Sequence, residues 1–292
     1  MGRTHMRALS KGDRVRVVAV VEPSEASRAA LDIDVAIYPD VTSLLRAGNI
    51  DGVLVAAPST LHLQLVTQLA TAGVAILCEK PCGISASQAR EAAAIAARHG
   101  VKLQVAYWRR FVPSLQRLRQ RIAAGDLGAL YFVACYQWDG EPPAAAFRTN
   151  SGGIFIDMGV HEFDQVRWLS GQEFTQISPV VAAVGAEPPI AGDADSAQVL
   201  CKLSGGSTAL VSLGRRFPLG DVCRVEVFGT RDAEDCRFLW PPDGESVFLQ
   251  ALQHQAEGFA DWVRGGDAMG ATAADAVAAL GAAEQASPAL YR

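Results

Sequence analysis

Along residues 13–106 the hydrophobic positions fall in short unbroken runs: "VRVVAVV" (15–21), "GVLVAA" (52–57), "VAILC" (74–78) and "VKLQVAY" (101–107). Runs rich in Val and Ile, apolar throughout instead of alternating, predict strands buried on both faces. Between them lie "PSEASRAAL", "DVTSLLRAG", "LHLQLVTQLATAG" and "SASQAREAAAIAARHG". The last two have helical composition, an apolar face and a glycine at the C-terminal stop. This alternation predicts an α/β domain over 1–106, built on a parallel, doubly wound sheet.

After residue 107 the pattern changes. It predicts a helix over 113–124, a strand over 130–138, a loop "DGEPPAAAF", and a helix from Gly153 to Ser170. Strands are expected at 174–185, 195–203, 207–214 and 222–229, with Gly205–Gly206 marking a hairpin. Helices over 250–264 and 272–286 close the chain. Residues 107–292 thus read as an α+β domain with a mostly antiparallel sheet.

Composition narrows the partners. Of 292 residues, half are hydrophobic and 20% are charged, as in ordinary globular proteins. A net charge of −5 leaves no basic surplus for nucleic acid or an anionic membrane. No apolar run approaches the roughly 18 residues of a membrane span, and "MGRTHMRALSKGDR" lacks the apolar middle of a secretion signal. The six cysteines (78, 82, 135, 201, 223, 236) lack paired metal-site spacing and read as reduced, buried thiols of a cytoplasmic protein.

A doubly wound nucleotide-binding domain opens with a strand and a G-x-G-x-x-G turn. Here "MGRTHMRAL" reads as the last glycine of such a loop and the helix behind it. Glu22 follows Gly2 by 20 residues, the spacing at which a carboxylate reaches the adenosine ribose. The expectation is a start placed late, or a truncation, removing roughly 10–15 residues. The plainer alternative makes Gly2 and Glu22 an ordinary helix cap and strand-end charge.

Two segments carry candidate chemistry. In "VAILCEKPCG" (74–83) a lysine stands at the carboxyl end of a buried strand, where open parallel sheets place their ligand crevice. Pro81 stiffens the turn behind Lys80. A cation held there can stabilise a developing alkoxide; a surface Glu–Lys pair is the alternative. In "SGGIFIDMGVHEFDQVRWLSG" (151–171), Asp157 and His161 are four apart, which on a helix puts them on one face. A carboxylate beside an imidazole fixes its tautomer and favours its protonated form, as a general base requires. A structural contact, or a metal site from His161, Glu162 and Asp164, are alternatives; adjacent positions on a helix point apart, so no metal is expected.

"CEKP" after its strand, the segment at 151–171 and "AAPSTLH" (56–62) together resemble the Gfo/Idh/MocA oxidoreductase family over nearly the whole chain. Within it, "YWRRFVPSL" and "YQWDGEPP" look most like bacterial inositol 2-dehydrogenases. The resemblance implies a Rossmann domain, an open-faced second domain and a homo-oligomer, tetramer or dimer. It implies hydride transfer from a secondary alcohol of a cyclitol or sugar, myo-inositol favoured, to NAD. Lys80, Asp157 and His161 would be catalytic. Gly2, Glu22, Ala57, Pro58, Ser59, Thr60, His62, Glu79 and Lys80 would meet the cofactor, with His62 equally readable as a buried, hydrogen-bonded residue. Trp108, Arg109 and Asp139 would meet the substrate, or else Trp108 packs in the core and Arg109 and Arg110 make salt bridges. The competing reading is a non-catalytic binding or regulatory protein of the same fold, or a dehydrogenase for another sugar.

Overall fold

The expected alternation is present in the computed structural model, which describes residues 1–10, 12–182, 184 and 190–291. It runs α1 (Gly2–Leu9), β1 (Ala19–Val21), α2 (Glu25–Ala29), β2 (Ala36–Tyr38), α3 (Val41–Ala47), β3 (Gly52–Val55), α4 (His62–Thr71), β4 (Ala75–Cys78), α5 (Ala86–Arg98) and β5 (Leu103–Val105). Ser24, Asp40 and Ser85 start α2, α3 and α5 by accepting from the backbone N–H groups of Ser27, Ser43 and Gln88. β3, β4 and β5 pair in parallel, and so do β1 and β2.

Two expectations about this sheet need correction. β2 was missed, because "AIY" is too short to stand out as an apolar run. β1, β2 and most of β3 are only half-buried, not enclosed. The reason is topological: β1–β2 forms a two-stranded piece, and among the described residues no ladder joins β1 to β3.

The rest of the chain forms α6 (Pro113–Ala123), β6 (Leu130–Trp138), α7 (Ala145–Asn150), a π-helical turn (Phe155–Gly159), α8 (Val160–Ser170), β7 (Phe174–Ala182), β8 (Ser196–Leu203), β9 (Thr208–Gly214), β10 (Val222–Gly229), β11 (Ala233–Leu239), α9 (Gly244–Val263), β12 (Ala271–Thr272) and α10 (Ala273–Ala286). β11 and α7 were not anticipated, and of the strand expected at 174–185, residues 183 and 185 lie outside the described residues. The sheet has the order β11-β10-β6-β9-β8-β7, antiparallel throughout except for β6 beside β9. Alternation sorts its side chains. Val133, Cys135, Val199, Val211, Leu213 and Val225 are buried on the face that packs against α6, α8 and α10. The opposite face is open and carries Val180, Leu200 and Phe228, all exposed.

The C-terminal segments return to the first sheet. β12 pairs antiparallel with β5 and α10 packs on α5, while α9 packs on α1 and on the short 3-10 turn Trp108–Phe111. The capping box of Thr272 and Asp275 starts α10 directly from β12. One hydrophobic core therefore runs from α4, β4 and α5 through to α8, β6 and β9. No helix among the described residues is long and apolar enough to cross a membrane.

Candidate active site

β4 delivers Lys80. The Glu79 N–H still bonds Val55 O (2.9 Å) in the sheet, and the Lys80–Pro81 peptide is cis. The Lys80 ammonium then reaches across to the π-helical turn, donating to the Asp157 carbonyl oxygen at 2.6 Å and lying 3.6 Å from Asp157 Oδ1. The two segments singled out in the sequence do meet.

Glu79 and His62, expected to face the cofactor, are turned inward. Glu79 is buried, with His5 Nε2 at 2.6 Å from one carboxylate oxygen and the Lys80 N–H donating to the other at 3.1 Å. His62 is buried with its ring nitrogens 2.7 Å from Pro81 O and 2.9 Å from Ala57 O. It clips the loop after β3 to the turn after β4. Both side chains position backbone, because each is consumed by a buried partner.

The expected Asp157–His161 pair does not form. Residues 155–159 make a π-helical turn, so the four-residue spacing no longer stacks the two side chains on one face. Gly152 and Gly153, both at positive φ, lead into it; a Cβ on Gly153 would collide with the Gly192 carbonyl oxygen. Asp157 instead accepts from the Arg215 guanidinium at 2.6 Å. His161 is 7% exposed, its Nδ1 has no partner among the described residues, and Tyr107 and Trp108 meet its ring edge-on at centroid distances of 5.8 and 6.4 Å. Burial first, and the Lys80 and Arg109 cations second, push the imidazole well below its ordinary range. It is therefore neutral near pH 7. Sequence reasoning had the opposite sign.

His161 lines a cleft of about 190 Å³ with Trp108, Arg109, Gln137, Asp139 and Asp221. Arg109 borders it but is buried and committed: its guanidinium pairs with Glu162 and donates to Gln165 (2.8 Å) and Gln137 (2.6 Å). Trp108 packs on Phe248 and Phe238. These two are first of all walls. Asp139 is a further acceptor on this wall, its carboxyl pushed up by burial, with the Gln137 amide, which donates to it at 3.1 Å, opposing that rise and the Asp221 charge adding to it. Glu162 pairs with Arg109 through one carboxylate oxygen, and Asp164 with Arg110 (2.9 and 2.5 Å), so each carboxylate of the considered metal site already faces a buried guanidinium. Among the described residues no metal-ligand cluster exists.

The remaining cofactor candidates lie at the carboxyl ends of β1 and β3. Gly2 opens α1 beside Ala56, and no side chain caps this helix start. Glu22 follows β1 and accepts the Ser24 N–H at 2.9 Å. Ala57, Pro58 and Ser59 border the loop after β3, while Thr60 faces an outer groove shared with Thr42 and Gln88. Open helix-start N–H groups, a carboxylate one strand away and the Lys80 ammonium make a set that fits the phosphate, ribose and nicotinamide parts of NAD.

Sequence reasoning missed Arg215, Arg148 and Asp193. Arg215 joins Asp157 to Asp193 (3.1 Å), and Arg148 holds Asp193 (2.6 Å) and Asp195 (3.1 Å). A signal existed for Arg215. Ala209, Val211 and Leu213 point to the helix-covered face, and the two-residue period carried one step past β9 puts Arg215 there too, with Arg216 outside.

Comparison with known proteins fits this architecture. Residues 1–107 match the model of an oxidoreductase family with an NAD-binding Rossmann fold, and residues 115–233 match the GFO/IDH/MocA C-terminal domain. The rhizopine catabolism protein MocA of Rhizobium meliloti is 52% identical over 293 residues, spanning 100% of this chain and 92% of that protein. Inositol 2-dehydrogenase of Rhizobium meliloti (strain 1021) is 33% identical over 239 residues, covering 80% of this chain and 71% of its own. A solved structure from Sinorhizobium meliloti 1021, provisionally assigned as a myo-inositol dehydrogenase, superposes with a TM-score of 0.92 at 28% identity, covering 99% of this chain and 94% of that one.

Proposed function

Because the chain belongs to the GFO/IDH/MocA oxidoreductase family, we propose that it is an NAD-dependent dehydrogenase for a secondary alcohol of a cyclitol or sugar, with myo-inositol the first candidate. One observation carries the reading: the Lys80 ammonium reaches Asp157 from a distant segment, and its charge also acts on a neutral His161 that opens on a cleft. Gly2, Glu22, Ala57–Ser59 and Lys80 would hold NAD, which when bound supplies the hydride acceptor. The chain's own work is proton transfer and charge. The neutral His161 imidazole takes the hydroxyl proton. Lys80, tethered at the Asp157 carbonyl, puts positive charge beside the developing alkoxide. Asp157 balances Lys80 and Arg215. Asp139 and Asp221 accept from further hydroxyls, which suits a polyol ring.

The remaining proposals concern the setting. The open sheet face with Val180, Leu200 and Phe228 would be buried between copies in a homotetramer or homodimer, and the six buried free cysteines suit the cytoplasm. The break between β1 and β3 favours a second reading, a non-catalytic binding protein of the same fold. Titration with NAD, followed by absorbance at the reduced-nicotinamide band with myo-inositol and a panel of cyclitols and sugars, separates the two. Turnover with at least one polyol is expected; absence of turnover across the panel supports the second reading.

A further inference from the structure

We propose that Arg215 is a positioning residue of this site: its guanidinium bridges Asp157 and Asp193 and so holds the Asp157 carboxylate beside Lys80 instead of beside His161. The inference rests on the site described above and adds a residue to it. Arg215 is 1% exposed, and burying a guanidinium is tolerable only where its donors are met by carboxylates. One side of its fork donates to Asp157 Oδ2 at 2.6 Å and the other to Asp193 Oδ1 at 3.1 Å. Asp193 is itself fixed from behind by Arg148 Nε at 2.6 Å, and Gly192 before it sits against Gly153 at the mouth of the π-helical turn. Two anchors therefore set where Asp157 points.

Charge explains why this matters. Among the described residues Lys80, Arg215 and Arg148 face Asp157, Asp193 and Asp195, three cations against three carboxylates. The titratable and charged groups on the elements around His161 are Lys80 after β4, Tyr107 and Arg109 before and in the 3-10 turn, Asp139 after β6, Asp221 before β10, Asp157 in the π-helical turn that leads into α8, and Glu162 on its own helix, the last paired with Arg109. Arg215 holds the carboxylate that stands four residues before His161 in the chain, and His161 stays an uncharged base at rest. A lysine at 215 keeps the charge but has no fork with which to span two carboxylates.

The test reads His161 directly. The full chain has five histidines, so the ¹³Cε1-labelled ring signal of His161 is assigned by its loss in His161→Gln and titrated without substrate or cofactor. In Arg215→Gln the freed Asp157 turns to the imidazole, and the midpoint rises by about one pH unit; Arg215→Lys gives a smaller rise in the same direction. An unchanged midpoint in either folded variant overturns the proposal. If neither variant folds, Asp157→Asn decides in an otherwise unaltered chain. A midpoint within about 0.3 units of the parent supports the proposal, and a larger fall shows that Asp157 already serves His161 and overturns it. With turnover in hand, the acid limb of kcat/KM in Arg215→Lys should shift upward with the midpoint. No turnover in any form would count against the dehydrogenase reading and leave the titration result standing.

Discussion

The two sheets of this molecule are built to different standards. β1 and β2 pair over three residues, have half-buried or exposed side chains and, among the described residues, one partner each, and Glu22 follows β1. β6 and β9 pair over seven residues in the middle of six strands, and their inward side chains are fully buried. Local stability follows ladder length and buried apolar area. The groups that would do chemistry come from the well-held side. Asp157, His161 and Arg215 stand on or over the six-stranded sheet, and Lys80 leaves β4, which is flanked by β3 and β5 and pinned through Glu79 and His62. The candidate ribose contact Glu22 sits on the loose piece. Catalytic geometry and cofactor grip are thus separable properties here.

Hydrogen exchange should show the contrast most strongly. Amides of Ala19–Val21 and Ala36–Tyr38 are expected to exchange at least about a thousandfold faster than those of Val133–Cys135 and Ala209–Leu213; equal protection would remove the distinction. Next in size is Lys80→Ala, which should lower turnover by about 10²- to 10³-fold with little change in melting temperature. Loss of both would tie chemistry to stability after all. Core truncation is smaller. Val211→Ala in β9 should cost about 2 kcal/mol by denaturant unfolding, and Val20→Ala in β1 under about 1 kcal/mol, because a half-buried side chain leaves no closed cavity.

The smallest effect is the pH dependence of stability. His161 has a folded pKa depressed below its ordinary 6.5, so the unfolded chain binds the proton first on acidification. Its contribution is complete above 6.5 and declines, by at most about 1.4 kcal/mol per pH unit, as pH falls from there toward the folded value. His161→Gln should flatten the stability–pH curve in that window; an unchanged slope would mean the imidazole is not depressed.

Much of the fold was legible because it is written in periods. Apolar runs and helical faces located β1, β3, β4 and β5, and the strand-end rule put Lys80 at the crevice. β2 and β11 escaped because a three-residue strand, and a strand as charged as "AEDCRFL", carry little apolar signal. The site was half legible. Lys80 meets Asp157, but the π-helical turn that parts Asp157 from His161 is a backbone choice that spacing cannot announce, and the burial that lowers His161 comes only with the tertiary fold. Glu79 and His62 looked like ligand contacts because they flank the crevice, yet their buried partners His5, Pro81 and Ala57 are brought up only by the tertiary fold. Arg215 and Arg216 are neighbours of identical type, and only the strand register tells the buried one from the solvated one.

The pairing of β12 with β5 bears on how the chain is made. As the polypeptide emerges from the ribosome, Leu103–Val105 is translated some hundred and sixty residues ahead of the segment that will cap its edge, roughly ten seconds or more at ordinary elongation rates. During that interval an apolar strand flank stays open to wrong partners. The first sheet cannot finish its border until the last helix is nearly synthesised, so late events in biogenesis decide whether an early-made region survives.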